Sequence, residues 1–334
     1  MDAIAMPCRR RYMAGLAAVG VAPGLALAQA RAAPRRIGYL SLYSAGSTIA
    51  TTQQEMFRTA LRNAGVPEGP IVTIEWRFAE GRAERLASLA AELVAARVEL
   101  IVAVFQQAIV AARAATETVP IVALGALLPT EAGFAKSLAQ PGGNVTGTVY
   151  FSRGVVDKLY ELLREAVPRA RRIAVLGNPD APTAARYGAA SEEAAARLGL
   201  AIEFVHVRRQ ADVAAALRQV AAARPDALFI NGDASINPSM GAIAAFAIER
   251  KLPTFGTALV HVREGALLYF GPHLEEMVNR VGSFVARILR GASPATLPME
   301  EPARYELVIN SKTAAALGWQ PPPALQARVD RFVE

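Results

Sequence analysis

The chain has 334 residues, of which 53% are hydrophobic and 19% are charged, and this composition excludes a largely disordered protein. Its length allows about two domains. The net charge is +7, but the two signs are interspersed along helical stretches, which predicts solvated helix faces and no nucleic-acid-binding patch. The single cysteine, Cys8, excludes a disulfide framework, a zinc ribbon and a CxxC redox site.

The N-terminus has the pattern of an export signal. Three arginines, Arg9–Arg11, precede a short apolar stretch over 13–28, and small-x-small cleavage candidates end at Ala28 and Ala30. The apolar stretch is too short and too interrupted by proline and glycine for a membrane span. We therefore expect residues 1–30 to be a cleaved signal peptide that directs the chain to the periplasm, with the twin-arginine route as a possible path because of the arginine cluster.

Strand and helix patterns alternate from residue 36 onwards. In the first half, the predicted strands are Arg36–Ser41, Ile71–Arg77, Leu100–Val104 and Ile121–Leu124, and the predicted helices are Thr51–Ala64, Arg82–Arg97 and Gln107–Thr116. Continuous apolar strands that alternate with helices are typical of a parallel sheet covered on both faces.

A second series of the same kind follows a turn-rich break at 140–144. Its predicted helices are Val155–Val167, Ala181–Leu198, Asp212–Ala223, Ser239–Arg250, Leu274–Leu289 and Lys312–Leu317. Its predicted strands are Ile173–Leu176, Ile202–Val207, Ala227–Ile230, Thr254–Gly256, Leu267–Phe270 and Glu306–Ile309. Two α/β lobes of similar size follow from these two series.

The sequence lacks the motifs of the common enzyme classes. It contains no GxGxxG at a strand–helix junction, no GxxxxGK[ST] and no GxSxG. The three histidines, His206, His261 and His273, are not spaced as metal ligands. We therefore expect neither an enzyme nor a cofactor or metal site.

The loops that follow the predicted strands offer hydroxyl, amide and aromatic groups, and ligands bind outside the carboxyl ends of strands in open parallel sheets. Such groups suit the binding of a small polar or aromatic molecule. An aspartate can receive an ammonium group, and a helix start can receive a carboxylate. The alternative for Ser44, Asp180 and Ser235 is a helix N-cap alone. The candidate ligand-binding residues are Ser41, Tyr43, Ser44, Phe105, Gln106, Gln107, Gly125, Asn178, Asn231, Asp233 and Tyr269.

Two segments carry a family resemblance, PGGNVTG at 141–147 and ELVIN-x-KTA-x-x-LG at 306–318. Together with shorter stretches from Arg36 onwards, they resemble the substrate-binding proteins of a bacterial ABC transporter family that includes the tryptophan/tyrosine-binding proteins. The resemblance implies a type I periplasmic-binding fold, in which two doubly wound parallel-sheet lobes are joined by a three-segment hinge and close on a ligand.

The resemblance also implies where the lobes divide and what they bind. Lobe 1 comprises 35–148 plus 272–304, and lobe 2 comprises 149–271 plus 305–334. The hinge segments are expected near 147–151, 268–271 and 304–308. The implied function is the periplasmic solute-binding component of an ABC importer, a monomer that binds an aromatic or apolar amino acid, or a related aromatic or short carboxylate. Its partner is an ABC permease in the inner membrane, and nucleic acid is not a partner.

The sequence departs from the family pattern at the cleft. Phe105-Gln106-Gln107 stands where Gly-Ser/Thr is frequent, and Leu128-Pro129 stands where Asp-Pro is usual. The missing aspartate predicts a changed ligand, an aromatic or short carboxylate compound without an ammonium group. A ligand-sensing protein of the same fold that signals to a membrane receptor remains an alternative, because both roles need the same closing cleft.

Overall fold

The structure is a computed structural model that describes residues 33–130, 132–151, 153–182, 184–233 and 235–334. The expected signal peptide at residues 1–30 lies outside the described residues. Among the helices that are described, none combines the length and the apolar character that crossing a membrane requires.

Five parallel strands form the first sheet, in the order β2-β1-β3-β4-β5. They are β1 Arg35–Ser41, β2 Val72–Phe78, β3 Ile101–Val104, β4 Ile121–Leu127 and β5 Val145–Phe151. All four residues of β3 are buried, as expected for a strand that is covered on both faces.

Seven strands form the second sheet, in the order β12-β11-β10-β9-β8-β6-β7. They are β6 Arg172–Gly177, β7 Ala201–His206, β8 Ala227–Ile230, β9 Thr254–Gly256, β10 Leu268–Pro272, β11 Tyr305–Asn310 and β12 Arg331–Val333. The pairing is parallel except between β10 and β11, where Pro272 lies opposite Tyr305. The chain leaves this sheet at the end of β10 and re-enters it at the start of β11 from the same edge, so the two strands run in opposite directions.

The helices follow the predicted order, with two short additions. They are α1 Thr48–Asn63, α2 Leu86–Ala95, α3 Phe105–Ala115, α4 Arg153–Ala166, α5 Ala184–Arg197, α6 Val213–Ala223, α7 Met240–Glu249, α8 Leu259–Arg263, α9 Leu274–Leu289, α10 Ser311–Leu317 and α11 Pro323–Gln326. The buried face of α2 consists of Leu86, Leu89, Ala90 and Leu93, which have the expected helical spacing.

The helix α9 returns to the first sheet although it follows a strand of the second. It packs closely on α1, and a Cβ atom at Gly282 would lie 2.6 Å from the carbonyl oxygen of Ala60. The segment after α9 continues along β5, where Thr146 Oγ1 donates to the carbonyl oxygen of Leu297 at 2.8 Å. The first lobe is therefore assembled from two separate stretches of chain.

The chain passes between the two sheets at three places. The first lies between β5 and α4, the second between β10 and α9, and the third before β11. The last two lie side by side, because the backbone N–H of His273 donates to the carbonyl oxygen of Arg304 at 3.1 Å. The second passage begins after Pro272, the last residue of β10, directly after the hinge segment expected near 268–271.

The strand β5 was not predicted, because the PGGN turn and the glycine at 147 obscure its alternation. Gly147 has φ +130°, and a Cβ atom there would lie 2.2 Å from the carbonyl oxygen of Ala123 on β4. Glycine is therefore required where the two strands approach each other. Asn144 lies in the turn before β5, and its side-chain amide donates to the carbonyl oxygens of Thr116 and Val119.

Candidate functional site

A cleft lies where the carboxyl ends of strands from both sheets face each other. Its deepest part, which we call the inner cavity, has a volume of about 120 Å³. The first lobe contributes residues at or just after the carboxyl ends of β1, β3, β4 and β5, and the second lobe contributes residues just after β6, β8 and β9. This is the position at which open parallel sheets bind ligands.

A wider space, which we call the outer cavity, continues from the inner cavity and has a volume of about 750 Å³. The two cavities share six lining residues, namely Leu42, Tyr43, Gln107, Asn178, Asp233 and Asn237. Arginines of the second lobe line the outer cavity, and two of them are paired there with carboxylates. Arg208 Nε lies 3.1 Å from Asp180 Oδ2, and Arg209 Nη2 lies 3.4 Å from Asp212 Oδ1.

Most of the candidate residues line this cleft. Tyr43, Gln107, Asn178 and Asp233 line both cavities. Those that line only one are Phe105, Gln106 and Asn231, in the inner cavity, and Ser44, in the outer cavity. Ser44 is not an N-cap of α1, because Ser47 caps that helix.

Three candidate residues do not line either cavity. Ser41, the last residue of β1, is fully buried, and its hydroxyl accepts from the backbone N–H of Tyr43 at 3.3 Å. Gly125 is buried behind the ring of Phe105. Tyr269 is only 1% exposed, and its hydroxyl donates to the carbonyl oxygen of Pro272 at 2.9 Å. These residues contribute to packing behind the cleft.

An aromatic wall bounds the inner cavity on the side of the first lobe. The ring of Phe105 meets the rings of Tyr150 and Tyr43 edge-on, with centroid distances of 5.6 and 6.4 Å. Phe105 is the first residue of α3, so the helix begins two residues before its predicted start. Its φ is +60°, a left-handed conformation that is unfavourable for a residue with a Cβ atom. This backbone geometry turns the chain directly from β3 into α3 at the cavity.

Asp233 supplies a carboxylate to both cavities. Its Oδ1 accepts from Asn178 Nδ2 at 3.1 Å and from the backbone N–H and hydroxyl of Ser235 at 2.9 and 2.7 Å. Its Oδ2 accepts from Gln107 Nε2 at 3.3 Å, which links the two lobes. Among the described residues, no cationic side chain forms an ion pair with Asp233. Oδ2 accepts one hydrogen bond and Oδ1 accepts three, so Oδ2 has capacity to accept another from a ligand.

Two further hydrogen bonds connect the lobes across the cleft. Asn237 Nδ2 donates to the hydroxyl of Tyr43 at 3.2 Å, and the hydroxyl of Tyr150 donates to the carbonyl oxygen of Thr257 at 2.9 Å. Burial raises the pKa of Tyr43 to about 12, although the hydrogen bond from Asn237 acts in the opposite direction. The phenol therefore remains protonated at neutral pH. The two lobes are in contact, so the structure has a closed cleft.

The residues of the inner cavity that the sequence did not indicate as candidates include Tyr150, Tyr187 and Asn237. Tyr150 lies on β5, which was not predicted. Tyr187 lies in the first turn of α5, and Asn237 lies in a single turn of 3₁₀ helix before α7. Of these three residues, only Tyr150 could have been found from the sequence, because Val145, Val149 and Phe151 give its strand an apolar character. Within the described part of the chain, no cluster of three or more His, Cys, Asp or Glu side chains is arranged to hold a metal ion.

The two-sheet architecture and the cleft between facing strand ends define a binding protein of the type I periplasmic fold. The family model described as "ABC transporter substrate binding protein" matches residues 49–332. The chain belongs to this family, whose members bind solutes and are not enzymes. This agrees with the expectation from the missing catalytic motifs, and the family resemblance noted in the sequence is confirmed.

Three proteins illustrate what this chain is similar to. A tyrosine-binding protein of Clostridioides difficile is 28% identical over 265 residues, which cover 79% of this chain and 76% of that protein. The crystal structure of a conserved domain protein from Vibrio cholerae has a TM-score of 0.83 at 25% identity, and the match covers 90% of this chain and 99% of that chain. The structure of an ABC domain in complex with L-Trp from Streptococcus pneumoniae has a TM-score of 0.80 at 22% identity, with 90% and 100% covered.

Proposed function

We propose that this protein is the periplasmic binding component of an ABC importer, and that it carries an aromatic amino acid in the inter-lobe cleft. The observation that carries this proposal is the carboxylate of Asp233, which has no ion-pair partner among the described residues, beside the aromatic wall of Phe105, Tyr43 and Tyr150. The tyrosine-binding relative and the neighbour in complex with L-Trp support the same ligand class.

The charge at the cleft argues for a ligand with an ammonium group. The missing aspartate at position 128 suggested a ligand without one, but Asp233 places a carboxylate in the cleft from the other lobe. A ligand carboxylate next to it would be repelled, whereas an ammonium would be attracted and would donate to Oδ2. The proposed ligand is therefore a zwitterionic amino acid.

The volume of the inner cavity limits the size of the ligand side chain that it can hold. A volume of about 120 Å³ approaches the roughly 150 Å³ of an engineered cavity that binds benzene. Phe105, Tyr150 and Tyr187 provide aromatic edges and faces against which a ring can pack. We expect one six-membered ring, as in tyrosine or phenylalanine, to fit with little rearrangement, and indole to require a slight opening.

A thermal-shift panel tests the ligand class. L-tyrosine, L-phenylalanine and L-tryptophan are compared with tyramine, which lacks the carboxylate, and with 3-(4-hydroxyphenyl)propionate, which lacks the ammonium. A ligand at about 100 times its dissociation constant adds roughly 2.7 kcal/mol to the free energy of unfolding. We expect stabilisation by the amino acids and a much weaker effect of the propionate. Stabilisation by the propionate alone would instead support the ligand without an ammonium group.

The transport role has a separate test in cells. Deletion of the gene is expected to abolish high-affinity uptake of the radiolabelled amino acid that the panel identifies, and the restored gene is expected to recover it. The Asp233→Asn variant is the matched control, because it should be exported normally and fail to restore uptake. Unchanged uptake after deletion would contradict the importer role without touching the ligand assignment.

A further inference from the structure

A chain of three polar side chains connects the interior of the second lobe to the cleft. His261 on α8 is fully buried, and its Nε2 lies 2.8 Å from Asn237 Oδ1. Asn237 is 5% exposed, and its Nδ2 donates across the cleft to the hydroxyl of Tyr43, which follows β1 in the first lobe. The contact with Tyr43 therefore exists only while the lobes are closed.

The direction of these hydrogen bonds follows from the environment of Nδ1, the other ring nitrogen of His261. His261 Nδ1 is buried, lies against Gly256 and has no hydrogen-bond partner among the residues that the structure describes. A proton on Nδ1 would be a stranded buried donor, which is rarer and costlier than an unused lone pair. The proton consequently resides on Nε2 and is donated to Asn237 Oδ1. Burial lowers the pKa of His261 to about 3, so this neutral form persists at physiological pH.

The orientation of His261 fixes the orientation of Asn237. Because Asn237 Oδ1 accepts from the imidazole, the amide nitrogen must face Tyr43 and donate to it. The hydroxyl oxygen of Tyr43 is then an acceptor in this bond, and its own proton remains to be donated elsewhere. No described residue accepts that proton, and the side chain lines both cavities.

We propose that His261 and Asn237 are positioning residues of an inter-lobe latch, which closes on Tyr43 and sets its hydroxyl to donate into the cleft. The group of the ligand that faces Tyr43 is then a hydrogen-bond acceptor, and for a zwitterionic amino acid this is the carboxylate. That assignment rests on the proposed function, whereas the latch itself does not. Tyr43 and Asp233 would thus select opposite ends of the zwitterion.

Distance measurements between the lobes test the latch without a ligand. Spin labels are placed on Ala87→Cys of α2 and Ala215→Cys of α6, both exposed, in a full-length Cys8→Ser background, and double electron–electron resonance gives the fraction of closed molecules. His261→Gln keeps an N–H donor in reach of Asn237, whereas His261→Met removes it. Tyr43→Phe removes the hydroxyl in the first lobe that accepts from Asn237. It therefore breaks the latch without changing His261, so that its result does not depend on whether the His261 variants fold correctly.

We expect the wild type and His261→Gln to share the same closed fraction, and His261→Met and Tyr43→Phe to lower it several-fold. An equal closed fraction in all four proteins would overturn the latch. A wild type with no closed fraction, with or without L-tyrosine, would overturn it as well. If His261→Gln behaves like His261→Met, the donor at Nε2 has no role and the proposal is wrong.

The ligand side of the proposal is measured by titration calorimetry with L-tyrosine and L-tyrosinamide. His261→Met and Tyr43→Phe should weaken L-tyrosine binding about tenfold and reduce its preference over the amide, while His261→Gln should bind as the wild type does. An unchanged preference in Tyr43→Phe would overturn the donor role of Tyr43. If the wild type binds neither compound, the proposed function fails, and the latch is still decided by the distance measurements.

Discussion

The buried imidazole of His261 should make the stability of this protein depend on pH in a way that one substitution removes. Its pKa is lowered from 6.5 to about 3, and burial is the cause. Below pH 6.5 the unfolded chain takes up a proton at this position, whereas the folded chain does so only near pH 3. The free energy of unfolding therefore falls as the pH falls through this window.

The magnitude follows from the two pKa values. The full difference corresponds to roughly 5 kcal/mol, and the slope between pH 6 and pH 4 approaches about 1.4 kcal/mol per pH unit. At pH 5, His261 should already have lowered the free energy of unfolding by about 2 kcal/mol relative to neutral pH. This is a large fraction of the stability of an ordinary domain.

Urea unfolding followed by circular dichroism at pH 7, 6, 5 and 4 measures this effect. The His261→Gln variant should lose less stability than the wild type on acidification, because it has no buried group that takes up a proton in this pH range only on unfolding. His206→Gln is the matched control, because His206 lies exposed at the end of β7. Parallel pH profiles of the wild type and His261→Gln would refute the burial of a neutral imidazole.

Three further predictions concern the ligand and the packing of the first lobe. Asp233→Asn should weaken L-tyrosine binding by about 10–100-fold in calorimetry, because the ammonium loses its charged partner, and an equal loss for the propionate analogue would contradict this. Gly282→Ala should lower the urea-unfolding free energy by about 1–3 kcal/mol, because its Cβ atom would overlap the carbonyl oxygen of Ala60, whereas Gly154→Ala, in open space, should not destabilise the protein. Ser47→Ala should cost about 1 kcal/mol in the same assay, since its hydroxyl accepts from the backbone N–H of Ala50 at 3.2 Å, and Ser47→Asn should restore most of it.

Most of the helices and strands could be predicted from local patterns of apolar residues in the sequence. Continuous apolar strands such as β3 and β8 are buried on both faces, and their composition alone indicated parallel sheets. The helix α9 was predicted with its observed bounds, because its apolar face is regular from Leu274 to Leu289. The strand β5 was missed, since Gly147, which serves a close approach to β4, and the preceding PGGN turn obscure the apolar character of the strand.

The sequence predicted which loops form the candidate site, but not which of their side chains face the cleft. The rule that ligands bind beyond strand carboxyl ends found Asp233, Asn178 and the Phe105–Gln107 segment. It did not distinguish side chains that face the cleft from those that face the core, so Ser41 and Tyr269 were included although both are buried. It also gave no access to Asn237 and His261, whose roles depend on contacts between elements distant in sequence.

We propose that the closed cleft holds an aromatic amino acid between the two lobes. A crystal structure of the protein with L-tyrosine tests it most directly. We expect the ring in the inner cavity against Phe105, the ammonium within hydrogen-bond distance of Asp233 Oδ2, and the carboxylate facing the hydroxyl of Tyr43. Density for the ligand outside the cleft, or a ligand bound with its carboxylate against Asp233, would contradict it.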